Sequence, residues 1–301
     1  MPVALPLLMV NLPGNLYQPQ PCIHLSHSMP SQPPETSPSL TNIIGGLPYR
    51  MTLAGGWIDQ PFLSRLNPSP PGAVVVVSLE PVFHFMNRSG IACSTRRVAL
   101  KAWGERLPDG DRSERVRELY RLENYGRQNP SGSQDMAGII YPGISRLDYD
   151  FEVEGGIFPA RVESCNDPGT LAWLEQVLHI LPVCPRPEGY DPLIIQNLIP
   201  EWIARLGQSG HDCFHAILRR DPAALGAAMT ACMDCWKVLL PGNFEHPALT
   251  MDLLPLLKFY QQRYCGAAYS SCGGGYLYVV SEQPVPGAIH PVIRGELKPH
   301  A

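Results

Sequence analysis

Four groups of residues have the types and spacing needed for chemistry on a hydroxyl and an anion. Asp135 lies in Asn129-Pro-Ser-Gly-Ser-Gln-Asp-Met-Ala-Gly138, just after a Pro/Gly-rich turn and at the start of an apolar run. A carboxylate there either accepts a hydroxyl proton or caps a helix N-terminus. Ser89, Gly90, Ser94 and Thr95 lie in Arg88-Ser-Gly-Ile-Ala-Cys-Ser-Thr95, which leads into a helical pattern. Backbone N–H groups of such a loop, with the helix N-terminus, bind anions. Arg96 and Arg97 follow at once. Two guanidinium groups in a first turn oppose the macrodipole by a few tenths of a kcal/mol each. A bound anion would reverse that cost; otherwise both are surface arginines.

The third group is Arg50, Gly55, Gly56 and Asp59 in Pro48-Tyr-Arg-Met-Thr-Leu-Ala-Gly-Gly-Trp-Ile-Asp59. Asp59 either accepts strong bonds from hydroxyl donors or is a solvated residue after a tight turn. Trp57 lines the same region or simply packs. The fourth is Gly273-Gly-Gly275, where the chain can pass close to a ligand or form a bulged turn. Weaker signals are read as structure. Cys232 and Cys235 form a lone C-x-x-C pair in a helical run, read as core thiols rather than zinc ligands. His211 and His215 are spaced i,i+4 without the intervening Glu of a zinc protease. Trp236 reads as packing, and Lys237 as solvated or ion-paired.

Positioning these residues requires a mixture of strands and helices. Strands are expected over Tyr49–Ala54, over Ala73–Leu79 (apolar on both faces, hence central), over Arg146–Val153 (alternating, half-exposed), over Val177–Val183 and over Tyr276–Ser281. Helices are expected over Thr95–Gly104 with Ser94 or Thr95 as cap, over Ser113–Tyr125 capped by Ser113, from Ser133 to Ile140, and over Thr170–Gln176. About four more fall between Leu193 and Tyr264. Pro61–Pro71 reads as irregular chain. The mixture predicts an α+β class with two lobes.

Composition narrows the possibilities. Lys+Arg number 23 against 27 Asp+Glu, a net charge of -4, which disfavours nucleic acid. The 33 prolines concentrate in residues 1–72, 182–192 and 284–291, and residues 1–42 read as a poorly ordered leader. Nine scattered cysteines give no disulfide framework and predict free thiols in a reducing cytoplasm. The apolar N-terminus lacks a basic region and a cleavage site, so no signal peptide is expected. No run reaches the roughly 18 apolar residues of a membrane span.

The order of the motifs resembles the GHMP small-molecule kinases (galacto-, homoserine, mevalonate and phosphomevalonate kinases), nearest to the bacterial heptose-phosphate and fucose kinase branch, from about Gly46 to Val280. The resemblance implies a ribosomal-protein-S5-like N-terminal lobe (43–165) and a ferredoxin-like C-terminal lobe (166–301). It implies ATP-dependent phosphorylation of a sugar or sugar-phosphate hydroxyl, with Mg2+. Gly132-Ser-Gln-Asp135 matches a G-x-Q-D segment that supplies the catalytic aspartate. Arg88–Thr95 matches a P-x-x-x-G-L-G-S-S phosphate loop; Gly90 is retained, Ser94 and Thr95 fall on the serine pair, and Arg88 and Ala92 stand where the family has glycines. By this resemblance Ser94 acts in catalysis and holds Mg2+. Ser89, Gly90, Ser94 and Thr95 cradle phosphate, with Arg96 and Arg97 added. Arg50, Gly55, Gly56, Asp59, Gln134 and Gly273–Gly275 contact substrate. The alternative is a sugar-binding or regulatory protein on the same fold without turnover.

Overall fold

Strand β2 (Gly72–Leu79) is the centre of the first sheet, and its Val74-Val-Val-Val77 core explains why. Side chains alternate between faces, and every residue of β2 is buried, so both faces are covered. The computed structural model describes residues 46–91 and 93–296. These belong to one unit, Pro38–Ala301, and the expected leader over 1–42 lies outside them. Sheet order is β1 (Tyr49–Ala54), β2, β3 (Ile144–Tyr149) and β4 (Arg161–Cys165), each pair antiparallel. A bulge between Thr52 and Ala54 bends β1 as it leaves the sheet.

A four-residue turn of helix, α1 (Pro61–Ser64), lies between β1 and β2, and a longer helical connection joins β2 to β3. Its own helices are α2 (Cys93–Trp103), α3 (Arg112–Asn124) and α4 (Gln134–Ile140). After β4, α5 (Pro168–Val177) leads into a second antiparallel sheet. That sheet has β5 (Leu178–Cys184) and β6 (Gly266–Ser271) on either side of β7 (Gly274–Val280). Between β5 and β6 run α6 (Pro200–Leu218), α7 (Pro222–Leu239), a short 3-10 turn and α8 (Leu253–Arg263).

Helices α6 and α7 form a hairpin that joins the sheets. Helix α6 packs on β2, and α7 packs on β6. Both contacts are backbone-close: a Cβ at Gly210 would lie 1.9 Å from the Ala73 carbonyl oxygen, and one at Gly226 would lie 2.2 Å from that of Cys265. The second sheet adds Tyr278, Leu277 and Val279 to a continuous apolar core.

Several elements differ from the sequence expectation. Helix α2 starts at Cys93, so Ser94 and Thr95 sit inside its first turn rather than capping it. Asp111, not Ser113, caps α3: its side chain accepts from the Glu114 amide at 3.0 Å, a carboxylate at N-cap outcompeting a hydroxyl one turn in. Strand β3 is buried throughout rather than half-exposed. Its polar residues are buried as pairs: Arg146 donates to Asp148 at 2.8 Å, bridges Glu163 at 3.0 Å and lies over the Phe214 ring of α6. Part of Pro61–Pro71 is helical, because Pro61 sits at the first helical position, where its missing N–H costs nothing. Strand β6 was not expected. Gly-Ala-Ala has little strand preference, and the strand exists because it completes a hairpin with β7 under α7 and α8.

Candidate active site

A single cleft of about 280 Å3 collects much of the chemistry. That is the small end of the roughly 300–1,000 Å3 typical of small-molecule sites. Strand β1 supplies Arg50 and Thr52, which share a face at i,i+2. Helix α4 supplies Gln134 and Asp135 from its first turn. The turn after β1 supplies Gly56, Trp57 and Asp59, and the β6–β7 hairpin supplies Ser270, Ser271 and Cys272.

At one end Arg50 and Asp135 form an ion pair with side chains 6% and 21% exposed. The other Arg50 nitrogen donates to Thr52 Oγ1 at 2.9 Å and to the Gly90 carbonyl at 3.0 Å. Thr95 Oγ1 lies 3.4 Å from Asp135 Oδ2, and Thr52 Oγ1 lies 3.3 Å from Gln134 Oε1. Asp135 sits within the helix and makes no cap; Ser133 is at the cap position. Its carboxylate spans β1 and α2 and is held by the Arg50 guanidinium.

Asp59 is different. It is 1% exposed, and Oδ2 accepts from the Gln134 amide at 3.3 Å while Oδ1 has no hydrogen-bond partner among the described residues. Burial raises its pKa to about 6; the Gln134 amide and the Arg50 charge pull it back only in part. Gly132 makes room for it: a Cβ there would lie 1.8 Å from Asp59 Oδ2.

The loop before α2 rests on the β6–β7 hairpin. Gly90 has φ 79°, and a Cβ on it would lie 2.3 Å from both the Ser270 carbonyl oxygen and Ser271 Cβ. Ser270 Oγ donates to the Ser89 carbonyl at 2.6 Å, and the same carbonyl approaches Gly275. Gly273 meets the Tyr190 ring and Gly274 meets Cys184 Sγ, so of the hairpin it is Ser270–Cys272 that face the cleft. Gly55 lies against the Ala73 carbonyl and sets the turn from which Gly56 and Asp59 reach the cleft.

The residues of the loop and of α2 divide. Gly90 lines the cleft; Ser89, Ser94, Thr95, Arg96 and Arg97 do not. Ser89 and Thr95 are fully buried, while Ser94 and Arg97 are exposed. Arg96 is buried against β1, donating to the Leu47 carbonyl at 2.9 Å and lying over the Tyr49 ring at 4.1 Å. Arg88, with φ 59°, donates to the carbonyls of Arg186 and Pro187.

Cys232 and Cys235 are buried thiols, with pKa values raised by burial to about 12 and about 11. No group of three or more metal-ligating side chains occurs among the described residues. His211 contacts the Pro71 carbonyl at 3.0 Å, and Lys237 pairs with Asp234 at 2.7 Å. Trp236 lines the cleft and donates to the Gly56 carbonyl at 3.1 Å. Sequence reasoning missed Thr52, Arg127, Arg186 and Ser270–Cys272 as cleft residues. Thr52 carried a signal, its i,i+2 spacing from Arg50 on a strand, and Ser270–Cys272 directly precede the glycine run of the fourth group.

No family model matches the sequence, and no curated protein is detectably similar to it. Solved structures are similar in fold. One is a putative sugar kinase from Campylobacter jejuni, with TM-score 0.52, 13% identity, and coverage of 83% of this chain and 95% of that one. Another is Lactococcus lactis galactokinase complexed with galactose, with TM-score 0.50, 12% identity, and coverage of 79% and 85%. At such identities the likeness lies in how two antiparallel sheets and their helices are arranged, not in retained side chains. That arrangement is a GHMP-kinase-like fold.

Proposed function

We propose that the protein transfers a phosphoryl group from ATP to a hydroxyl of a sugar or sugar phosphate bound in this cleft. The observation that carries the reading is the Arg50–Asp135–Thr95 cluster beside the buried Asp59. Asp135 is the group that orients the acceptor hydroxyl and takes its proton. Arg50 holds that carboxylate in place. Asp59, with an oxygen lacking a partner, accepts a hydrogen bond from a second hydroxyl and so fixes the acceptor in register. Arg127 and Arg186 also line the cleft and favour a phosphorylated acceptor over a neutral one.

Nucleotide and metal suit the residues nearby. Mg2+ keeps most of its shell as water and phosphate oxygens and needs only one or two protein donors. Ser94, exposed in the first turn of α2, would be one such donor, with water and phosphate oxygens completing the shell. The first-turn amides of α2, with Ser94, would hold the phosphates. The bound Mg-ATP would supply the transferred group and neutralise its charge.

A second reading has its own support. The space a Cβ would take at Gly90 is already filled by the hairpin, and Arg88 is spent on two carbonyls, which favours a sugar-binding protein without turnover. ADP release with Mg-ATP across a panel of monosaccharides and sugar phosphates decides between them. Phosphoryl transfer predicts acceptor-dependent ADP release that falls by about 100-fold or more in Asp135→Asn. Acceptor-induced thermal stabilisation with no ADP release would establish the second reading.

A further inference from the structure

Trp57 stands in the one backbone conformation of its turn that an aromatic residue resists. Its φ is 86°, in the region that glycine occupies freely and a bulky side chain reaches only under strain. The sequence nevertheless places the largest side chain there, between Gly56 and Ile58. The surroundings over-determine the position. The Gly56 carbonyl is held by Trp236 Nε1 at 3.1 Å, and the Trp57 carbonyl receives the Gln60 amide at 3.0 Å. The ring packs edge-on to Phe62 at 6.3 Å and against the apolar core. Even so, Trp57 is not submerged: it is part-exposed and lines the cleft with Asp59. A residue serving only the core would be expected to bury its ring fully and to sit at an unstrained φ.

We infer that Trp57 is the platform on which the ring of the acceptor lies. It offers a π face to the C–H face of a pyranose or furanose, while Asp59 receives hydroxyls at the ring's edge. The inference rests on the cleft being the acceptor site and adds the residue that selects for a ring. Two features support a ring rather than an open-chain polyol. The cleft is small, and a part-exposed indole beside a buried carboxylate matches a molecule with one apolar face and a polar rim. The same turn holds the strained Trp57 and the desolvated Asp59, two local costs that both face the cleft. Such costs persist where binding depends on them.

The test uses the full chain and two variants, Trp57→Gly and Trp57→Phe, titrated calorimetrically with cyclic monosaccharides, their phosphates and open-chain alditols. Trp57→Gly relieves the strained φ but loses the ring's packing against Phe62 and the core, so its melting temperature is read beside its affinity. It is expected to bind the cyclic ligand about tenfold more weakly, the loss of one stacked aromatic contact. Trp57→Phe should recover most of that binding, and alditols should bind wild type and Trp57→Gly alike. Unchanged cyclic-ligand affinity in Trp57→Gly, or no binding by any cyclic ligand to the wild type, overturns the platform. So does a Trp57→Gly protein that melts lower with its affinity intact, which would make Trp57 a packing residue. Trp57-dependent binding without ADP release removes the phosphotransferase reading and leaves the platform standing. ADP release with an unchanged KM in Trp57→Gly does the reverse.

Discussion

Asp59 and Asp135 carry the same functional group a short distance apart in the fold, and their neighbours give them opposite characters. Asp135 faces a guanidinium; Asp59 faces an apolar turn and a helix amide, and its pKa rises from 3.8 to about 6. The folded state therefore holds the Asp59 proton more tightly than the unfolded chain does. Stability contributed by protonated Asp59 is full below about pH 4, falls as pH rises towards about 6, and is gone above that. Replacing the carboxylate by its neutral isostere removes the loss. Asp59→Asn is expected to raise stability by up to about 3 kcal/mol at pH 7.5 and by nothing at pH 4, read as the difference in melting temperature across that range. Acceptor affinity should fall in the same variant. Equal melting curves at pH 7.5 would mean that Asp59 is hydrated in solution. Asp135→Asn behaves differently, since it removes the carboxylate paired with Arg50, and about 1–3 kcal/mol of stability should go with the activity.

At the scale of elements, aspartates and glycines set where helices begin and how near they lie. Asp111, Asp167, Asp221 and Asp252 each accept a first-turn amide of the helix that follows. In Asp167-Pro168 and Asp221-Pro222 the proline takes the first helical position, a start signal readable from the chain itself. Asp221→Ala is expected to cost about 1 kcal/mol in urea unfolding. Gly210→Ala should cost more, about 1–3 kcal/mol, because the new methyl meets the Ala73 carbonyl and α6 must lift off β2. The same experiment reads both, and a smaller loss for Gly210→Ala would show that the hairpin can shift freely. Apolar runs such as Val74–Val77 made β2 legible, while β6 was not, since its small residues become a strand only beneath α7 and α8.

At the scale of the molecule, the last described residues return to brace the helix that bears Asp135. Ile293 bridges Leu79 beside β2, and Arg294 donates to Ser78 Oγ at 2.9 Å and to the carbonyls of Ile139 and Ile140 at 3.0 Å. Helix α4 is thus tied by Arg50 at its first turn and by a second guanidinium at its last carbonyls, where a cation suits the helix end. Burial lowers the Arg294 pKa to about 10, so it stays charged at neutral pH. Arg294→Met is expected to cost about 2–3 kcal/mol and to speed amide exchange in α4 more than in α7. Uniform exchange changes would show that the brace acts on the whole fold instead.

By itself the sequence determined the α+β character, the central strand and the identity of the residues that could do chemistry, because these depend on side-chain type and on spacing within a few neighbours. It did not determine which of them meet. Arg50 reaches Asp135 across 85 positions, Ser270 reaches Ser89 across 181, and Trp236 reaches Gly56 across 180. Tertiary packing alone turned Arg96 into β1 and away from the cleft, buried Asp59 until its pKa rose to about 6, and brought in Arg127, Arg186 and Ser270–Cys272. The reason is physical: solvation and charge proximity are properties of the space around a group, and that space is assembled from segments far apart along the chain.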